Sequence, residues 1–236
     1  MCEVMGILNV TPDSFSDGGK YFTPEEAIRR AFKMVEEGAT YVDLGGESTR
    51  PGAIPLDWRE EWRRIEPVIA SLVGKLNAKI SIDTYHIETA EKAIACGADM
   101  INCVYVEPAR DIAKTCFSSK REVVIPVRAR ESIQDLSLDY SSLVYIDPMI
   151  GFGTSRDEDL SLLRSIPAFA KLGRVLVGAS RKRIVKKLTG EKLVGKNLGG
   201  NLGLAVWAAM NGASVVRVHD VRETVQALRV VDVLKG

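Results

Sequence analysis

Residues 23–45 read TPEEAIRRAFKMVEEGATYVDLG, and this stretch decides the fold. Thr23, Pro24 and Glu26 stand as N-cap, N1 and N3 of a helix start, where hydroxyl and carboxylate satisfy backbone donors that the helix leaves free. The amphipathic pattern runs over 24–37 and stops before Gly38. After it, residues 41–45 form a short, largely apolar run, as expected of a strand buried in a parallel sheet. A similar run, VMGILN at residues 4–9, precedes the helix. The three together make one βαβ unit.

The same alternation continues outward. Further strands are expected over 79–83, 100–103, 122–127, 143–147, 174–178 and 215–218. Helices are expected over 57–76, 86–96, 157–171, 201–211 and 221–234, with Gly97 and Gly173 as C′ residues. A Gly-Ala step at 38–39, 97–98 and 212–213 closes a helix and opens the next strand. Residues 107–143 carry only short helical patterns, and 189–200 is a Gly/Lys-rich connection that reads as mobile. Eight strands with intervening helices predict an α/β fold, a (β/α)8 TIM barrel forming a single domain over 1–236. An open doubly wound sheet is the alternative.

Composition narrows the function. The 236 residues are 46% hydrophobic and 27% charged, with 32 basic against 31 acidic residues. A net charge of +1 argues against a polyanion binder that works by overall charge, so no nucleic-acid partner is expected. Two histidines, His86 and His219, leave little for a His-rich metal centre. Cys2, Cys96, Cys103 and Cys116 lack zinc-like or C-x-x-C spacing and read as reduced thiols. No apolar run reaches the roughly 20 residues of a membrane span, and no leader pattern opens the chain. A cytoplasmic enzyme is the expectation.

In such a barrel the chemistry gathers at the C-terminal strand ends. There stand Asn9, Asp43, Asp83, Asn102 and Asp147, then Ser180-Arg181-Lys182 and Arg217-Val218-His219. Asp and Asn are depleted in strands, so five such endings point to a convergent polar site. Two long polar loops follow the first strands, TPDSFSDGGK at 11–20 and ESTRPGA at 47–53. They exceed the usual βα connection of about 2–6 residues and suit a polar, phosphorylated ligand. Neither a nucleotide fingerprint nor a nucleophile elbow is present; Ser180 reads as a hydrogen-bond donor beside a cationic helix start.

The segments 5–19, 43–53, 80–85, 178–183 and 217–221 resemble, in colinear order, motifs of the dihydropteroate synthase family. The resemblance implies a (β/α)8 enzyme, usually a homodimer. It would condense a dihydropterin pyrophosphate with p-aminobenzoate, releasing pyrophosphate with Mg2+ assistance in folate biosynthesis. It implies Asn9 and Asp17 as metal ligands. Asp83 and Asp147 would accept from the pterin's N–H donors, with Asn102 beside them and Lys182 on the opposite edge. Arg50, Arg217 and His219 would hold pyrophosphate, and Phe15, Thr49, Pro51, Phe152 and Ser180 would shape the p-aminobenzoate slot. Asp83, Lys182 and Arg217 would be catalytic.

The chain departs from the family pattern along one arc. Cys103 stands where the family has Asp, Met149 where Asp-Pro-Gly has Gly, and Thr154 where Gly-Phe-Gly-Lys has Lys. At strand five, residues 126–130 (Pro-Val-Arg-Ala-Arg) replace a Met-His pair. A pterin-binding methyltransferase domain or a non-catalytic pterin-binding barrel are the competing readings. The first should lack both the 11–19 loop and the Ser-Arg-Lys motif; the departures motivate the second.

Overall fold

In the computed structural model of the chain, the described residues are 1–11, 23–47, 54–129, 142–191 and 193–235. Eight strands close a parallel barrel in sequence order: β1 Glu3–Asn9, β2 Tyr41–Gly45, β3 Lys79–Asp83, β4 Met100–Asn102, β5 Glu122–Pro126, β6 Val144–Asp147, β7 Arg174–Val177 and β8 Val215–Val218. Closure is made by β1, which pairs with β2 through Met5–Tyr41 and with β8 through Met5–Arg217. The closed barrel, rather than the open sheet, is the architecture.

Among the described residues, nine α-helices surround it: α1 Pro24–Glu36, α2 Trp58–Leu72, α3 Ile87–Cys96, α4 Val106–Ser118, α5 Arg156–Arg164, α6 Ile166–Ala170, α7 Arg183–Thr189, α8 Leu198–Met210 and α9 Val221–Lys235. α1 begins with the expected capping box: Thr23 Oγ1 accepts from the Glu26 amide, and Glu26 Oε2 accepts from the Thr23 amide. At each Gly-Ala step the glycine has φ near +100°, specifically +103° at Gly38, +108° at Gly97 and +98° at Gly212. The following alanine amide bonds back five residues, to Met34, Ala93 or Ala208, which makes three Schellman closures.

Four expectations are corrected. The stretch after Asn102 holds a full helix, α4, whose boundaries carry no conventional signal. Its N-cap is Tyr105 without a side-chain cap, and its Schellman closure is made by Lys120 at φ +53°, with the Arg121 amide reaching the Cys116 carbonyl. The helix expected over 157–171 is two helices, α5 and α6. Pro167 has no N–H for the Leu163 carbonyl, which accepts instead from Trp207 Nε1 at 3.3 Å. Gly173 has no positive φ and closes no helix, because α6 already ends at Ala170. The connection after α7 contains a 3-10 turn at Val194–Lys196, and α8 starts at Leu198, three residues before the expected position.

Two apolar bodies form the core. One lies between barrel and helices, and includes Leu44, Ile65, Ile82, Ile101, Ile112 and Val216. The other fills the barrel's middle with Met5, Tyr41, Met100, Val124, Tyr145, Leu176 and Val215. At its N-terminal end Glu122 is held by Lys79 Nζ at 2.9 Å and Tyr41 Oη at 3.0 Å, with the Arg174 guanidinium 3.8 Å over the Tyr145 ring. Charge buried there is paired, as it must be to persist. The other end of the barrel is built differently.

Candidate active site

Period-two alternation carries each strand from the apolar middle to a polar C-terminal end. On β2 the sequence passes from Tyr41 to Asp43, on β4 from Met100 to Asn102, on β6 from Tyr145 to Asp147, and on β8 from Val215 to Arg217. The result is a ring of convergent acceptors and cations, Asp43 and Asn102 being fully buried. A parallel barrel with all its strand ends at one mouth enforces this meeting.

Arg217 organises the ring. Its Nε donates to Asp43 Oδ2 at 2.6 Å, and its Nη2 donates to Asp83 Oδ2 at 2.5 Å. Asp43 also accepts from Ser81 Oγ at 2.6 Å and from Asn102 Nδ2 at 3.1 Å. Asn102 Oδ1, by contrast, is buried with no hydrogen-bond partner, an acceptor left over for a ligand donor. Burial pushes the Asp83 carboxyl up to about 7, with Arg217 acting against the rise and Asp43 adding to it. Burial likewise raises Asp147, opposed by Lys182 and by the Met149 amide, which donates to Oδ1 at 2.7 Å.

Lys182 sits at the N-cap of α7. Its Nζ donates to the Ile150 carbonyl at 2.6 Å and lies 4.0 Å from the Phe152 ring centroid. Burial lowers its ammonium to about 8, while Asp147 and Asp83 favour the charged form. Beside it, Ser180 Oγ is 3.1 Å from His219 Nδ1 and accepts from the His219 amide at 3.3 Å. On the barrel's other side, a Cβ added to Gly45 would lie 3.4 Å from Asn9 Oδ1 and 3.9 Å from Asp83 Oδ2. Among the described residues, the bare glycine thus leaves room for about one carbon atom beside these two oxygens.

Arg181 is the exception among the cations. It adopts φ +59°, gives its amide to Asn201 Oδ1 at 2.8 Å, and turns its guanidinium to Asp220 at 2.6 Å. It is a structural ion pair and does not join Lys182 in an anion site. Phe15, Asp17, Thr49, Arg50 and Pro51 lie outside the described residues. Asp43 was legible only as a polar strand end; that its carboxylate would seat Arg217, Ser81 and Asn102 together needed the barrel. Asp159 gave no sequence signal of its own and Thr154 only that of a departure from the family pattern, yet both are buried and bonded beside Lys182's loop.

At the departures, Cys103 is buried with its Sγ donating to the Tyr105 carbonyl at 3.4 Å, and burial raises its thiol to about 12. It is an inert neutral group. Met149 keeps the left-handed backbone that the family's glycine would supply, with φ +64°. All four cysteines are free. Among the described residues no helix is long and apolar enough to cross a membrane.

A closed barrel with buried acceptors and two cations at its C-terminal mouth is the architecture of a pterin-binding barrel enzyme, and the pattern of the family described as pterin binding enzyme matches residues 5–132 and 120–219. A dihydropteroate synthase of Synechocystis is 35% identical, covering 98% of this chain and 89% of its own. Two structures of dihydropteroate synthase from Xanthomonas albilineans each cover 100% of the chain. One, with 4-aminobenzoic acid, superposes at a TM-score of 0.92 with 37% identity over 93% of its own length. The other, with 7,8-dihydropteroate, gives 0.88 and 35% over 94%. The chain belongs to the pterin-binding enzyme family and, within it, to the dihydropteroate synthases, which are transferases.

Proposed function

We propose that the chain condenses 6-hydroxymethyl-7,8-dihydropterin pyrophosphate with p-aminobenzoate, yielding 7,8-dihydropteroate and pyrophosphate. The observation that carries this reading is the barrel-mouth ring of Asp83, Asn102 and Asp147 facing Lys182. Side-by-side N–H donors of a pterin ring match carboxylate and carboxamide acceptors, and the ammonium suits the ring's acceptor edge. The unpartnered Asn102 Oδ1 supports the same assignment.

The aniline nitrogen attacks the pterin methylene carbon, the C–O bond breaks with its electron pair leaving on pyrophosphate, and the new C–N centre then gives up one N–H proton to solvent. Positive character develops on the methylene while negative charge departs. Asp83, Asp147 and Asp43 supply fixed negative charge below the pterin, and preorganised groups of this kind stabilise a transition state without reorganising. His219 and Arg217, on the β8 end, are assigned to the leaving group. Arg217 gives two of its five N–H donors to Asp43 and Asp83, so the carboxylates orient the guanidinium rather than exhaust it. Ser180 and Phe152 are assigned to the p-aminobenzoate side together with Phe15, Thr49 and Pro51, and Arg50 to pyrophosphate.

Asn9 fits a magnesium site: its carboxamide oxygen flanks the opening over Gly45 that a side chain would fill. Mg2+ is characteristically held by one or two protein oxygens with substrate phosphates completing its shell. Asn9, with Asp17, is assigned that role, and the bound ion would neutralise the departing pyrophosphate.

We further assign the chain to a single cytoplasmic domain that assembles as a homodimer. α8 is apolar nearly all round, yet Trp207 and Met210 are exposed, as are Val230, Val233 and Leu234 on the neighbouring α9. A helix without a polar face is expected to be covered. The decisive test of function is pyrophosphate release by the purified chain, with and without p-aminobenzoate and with and without Mg2+. Release that needs both is expected; none with any dihydropterin pyrophosphate refutes the reading.

A further inference from the structure

The connection between β6 and α5 has an unusual backbone. Met149, Gly151 and Gly153 have φ of +64°, +78° and +66°, three left-handed residues within five. The two glycines adopt this conformation freely, whereas at Met149 it has a cost that surrounding contacts must meet. Asp147 fixes the first by accepting from the Met149 amide at 2.7 Å. The second is fixed by Asp159, a fully buried carboxylate on α5 whose Oδ1 accepts from the Gly151 amide at 2.7 Å and from Thr154 Oγ1 at 2.5 Å. Thr154 Oγ1 in turn lies 3.1 Å from the same amide.

This loop is the seat of Lys182. Ile150 supplies the carbonyl that accepts from Nζ, Phe152 supplies the ring beneath it, and Gly151 packs so closely that an added Cβ would lie 2.9 Å from Lys182 Cδ. Displacing Gly151 would therefore displace the ammonium. Where the family pattern carries lysine, Thr154 brings a hydroxyl donor to Asp159 instead. The charged groups facing Lys182 are Asp147 from β6, Asp83 from β3, Arg217 from β8 and Asp159 from α5.

We propose that Asp159 is a positioning residue for Lys182, holding the β6–α5 loop that seats the ammonium. The inference rests on the dihydropterin reading of the site, in which Lys182 touches substrate. Asp159 also adds to the charges that favour the protonated lysine, so its neutralisation moves the loss of protonated Lys182 to lower pH.

The test compares Asp159→Asn, Asp159→Ala and Thr154→Val with the wild-type chain over pH 6–10. The asparagine keeps an acceptor for Gly151 and Thr154 but no charge, so kcat near neutral pH should stay within about threefold while the basic limb of kcat/KM moves to lower pH. The alanine loses both, and kcat should fall about 10- to 100-fold, the range typical of partners that orient a working group. Thr154→Val should fall between them, with its basic limb unmoved. An unmoved basic limb in both Asp159 variants overturns the proposal, as does wild-type kcat in the alanine variant. Equal losses of kcat and thermal stability in asparagine and alanine variants also overturn it, because they signify a merely structural carboxylate. Titration of Lys182 through its 13Cε shift gives a readout independent of turnover. A wild-type chain that releases no pyrophosphate defeats the functional reading, while an Asn-dependent shift of that titration still decides on Asp159.

Discussion

Arg217 Nη2 on β8 donates to Asp83 Oδ2 on β3 at 2.5 Å, spanning two intervening strands across the barrel mouth. The same guanidinium holds Asp43 on β2 through Nε. One side chain thus ties three strands and places the acceptor assigned to the pterin. Buried ion pairs of this kind contribute little net stability when intact, but removing one partner strands the other.

Arg217→Met is therefore expected to lower stability by about 3–5 kcal/mol near neutral pH, measured by urea unfolding. The deficit has a pH signature. Burial already holds Asp83 at about 7 with Arg217 in place, and without the guanidinium its folded value rises further. Below about 7 both folded states keep that carboxyl protonated, so the deficit relative to the wild type grows as pH rises through about 7. Unfolding at about pH 5 should show a clearly smaller loss than at pH 8. A small, pH-independent deficit would contradict the ion-pair account.

Catalysis needs Asp83 ionised to accept from the pterin and Lys182 protonated to donate. Asp83 is pushed up to about 7 and Lys182 down to about 8 by burial. The profile of kcat/KM for the pterin substrate should accordingly be a narrow bell, rising through about 7 and falling through about 8, since this parameter reports the free enzyme. A profile flat between these values and extending well above pH 9 would remove Lys182 from the assigned role.

Lys120 closes α4 in the same Schellman geometry that glycine provides at positions 38, 97 and 212. Its side chain is exposed, and a left-handed non-glycine residue costs roughly 1–2 kcal/mol. Some of that is offset by the greater freedom glycine brings to the unfolded chain. Lys120→Gly should stabilise the protein by about 0.5–1 kcal/mol, a rise of about 1–4 °C in melting temperature. Turnover should not change, because α4's closure lies at the N-terminal side of β5, away from the barrel mouth. Calorimetry showing a lower melting temperature would count against the strain argument.

The exposed side chains of α8 and α9 give a direct test of assembly. Met210→Lys combined with Val233→Lys places two charges on surfaces that are now 60% and 81% exposed. Sedimentation should show a dimer in the wild-type chain and a monomer in the double variant. A wild-type chain that sediments as a monomer at micromolar concentration rules out the homodimer.

Much of this was legible in the chain itself. The strands at 41–45, 79–83 and 215–218 coincide with the sequence expectation residue for residue, because a strand buried on both faces shows as a short, largely apolar run that turns polar only where it meets the mouth or the rim. α1 was readable from its capping box, and three helix ends from their Gly-Ala steps. α4 was not, since Lys120 occupies the position where glycine would have announced its end, and nothing caps its start. The break at Ser165 was hidden too. Pro167 is compatible with one kinked helix or with a break between a pair of helices, and Trp207, forty residues later, takes up the carbonyl it frees.

At the site, the sequence alone determined which residue types reach the barrel mouth, because period-two alternation and strand length fix which side chains end there. It could not determine how they pair. Lys182 and Arg181 are adjacent in sequence and both cationic, yet one faces the buried carboxylates and the other is spent on Asp220. The choice turns on a left-handed backbone at Arg181, held by an asparagine twenty residues away. Asp43, Asp83 and Arg217 likewise come from strands far apart in the chain, and only barrel closure brings them within hydrogen-bond distance. Pattern and propensity are local, so they were written in the sequence; the partnering of buried charges depends on distance and desolvation, which exist only once the barrel has closed.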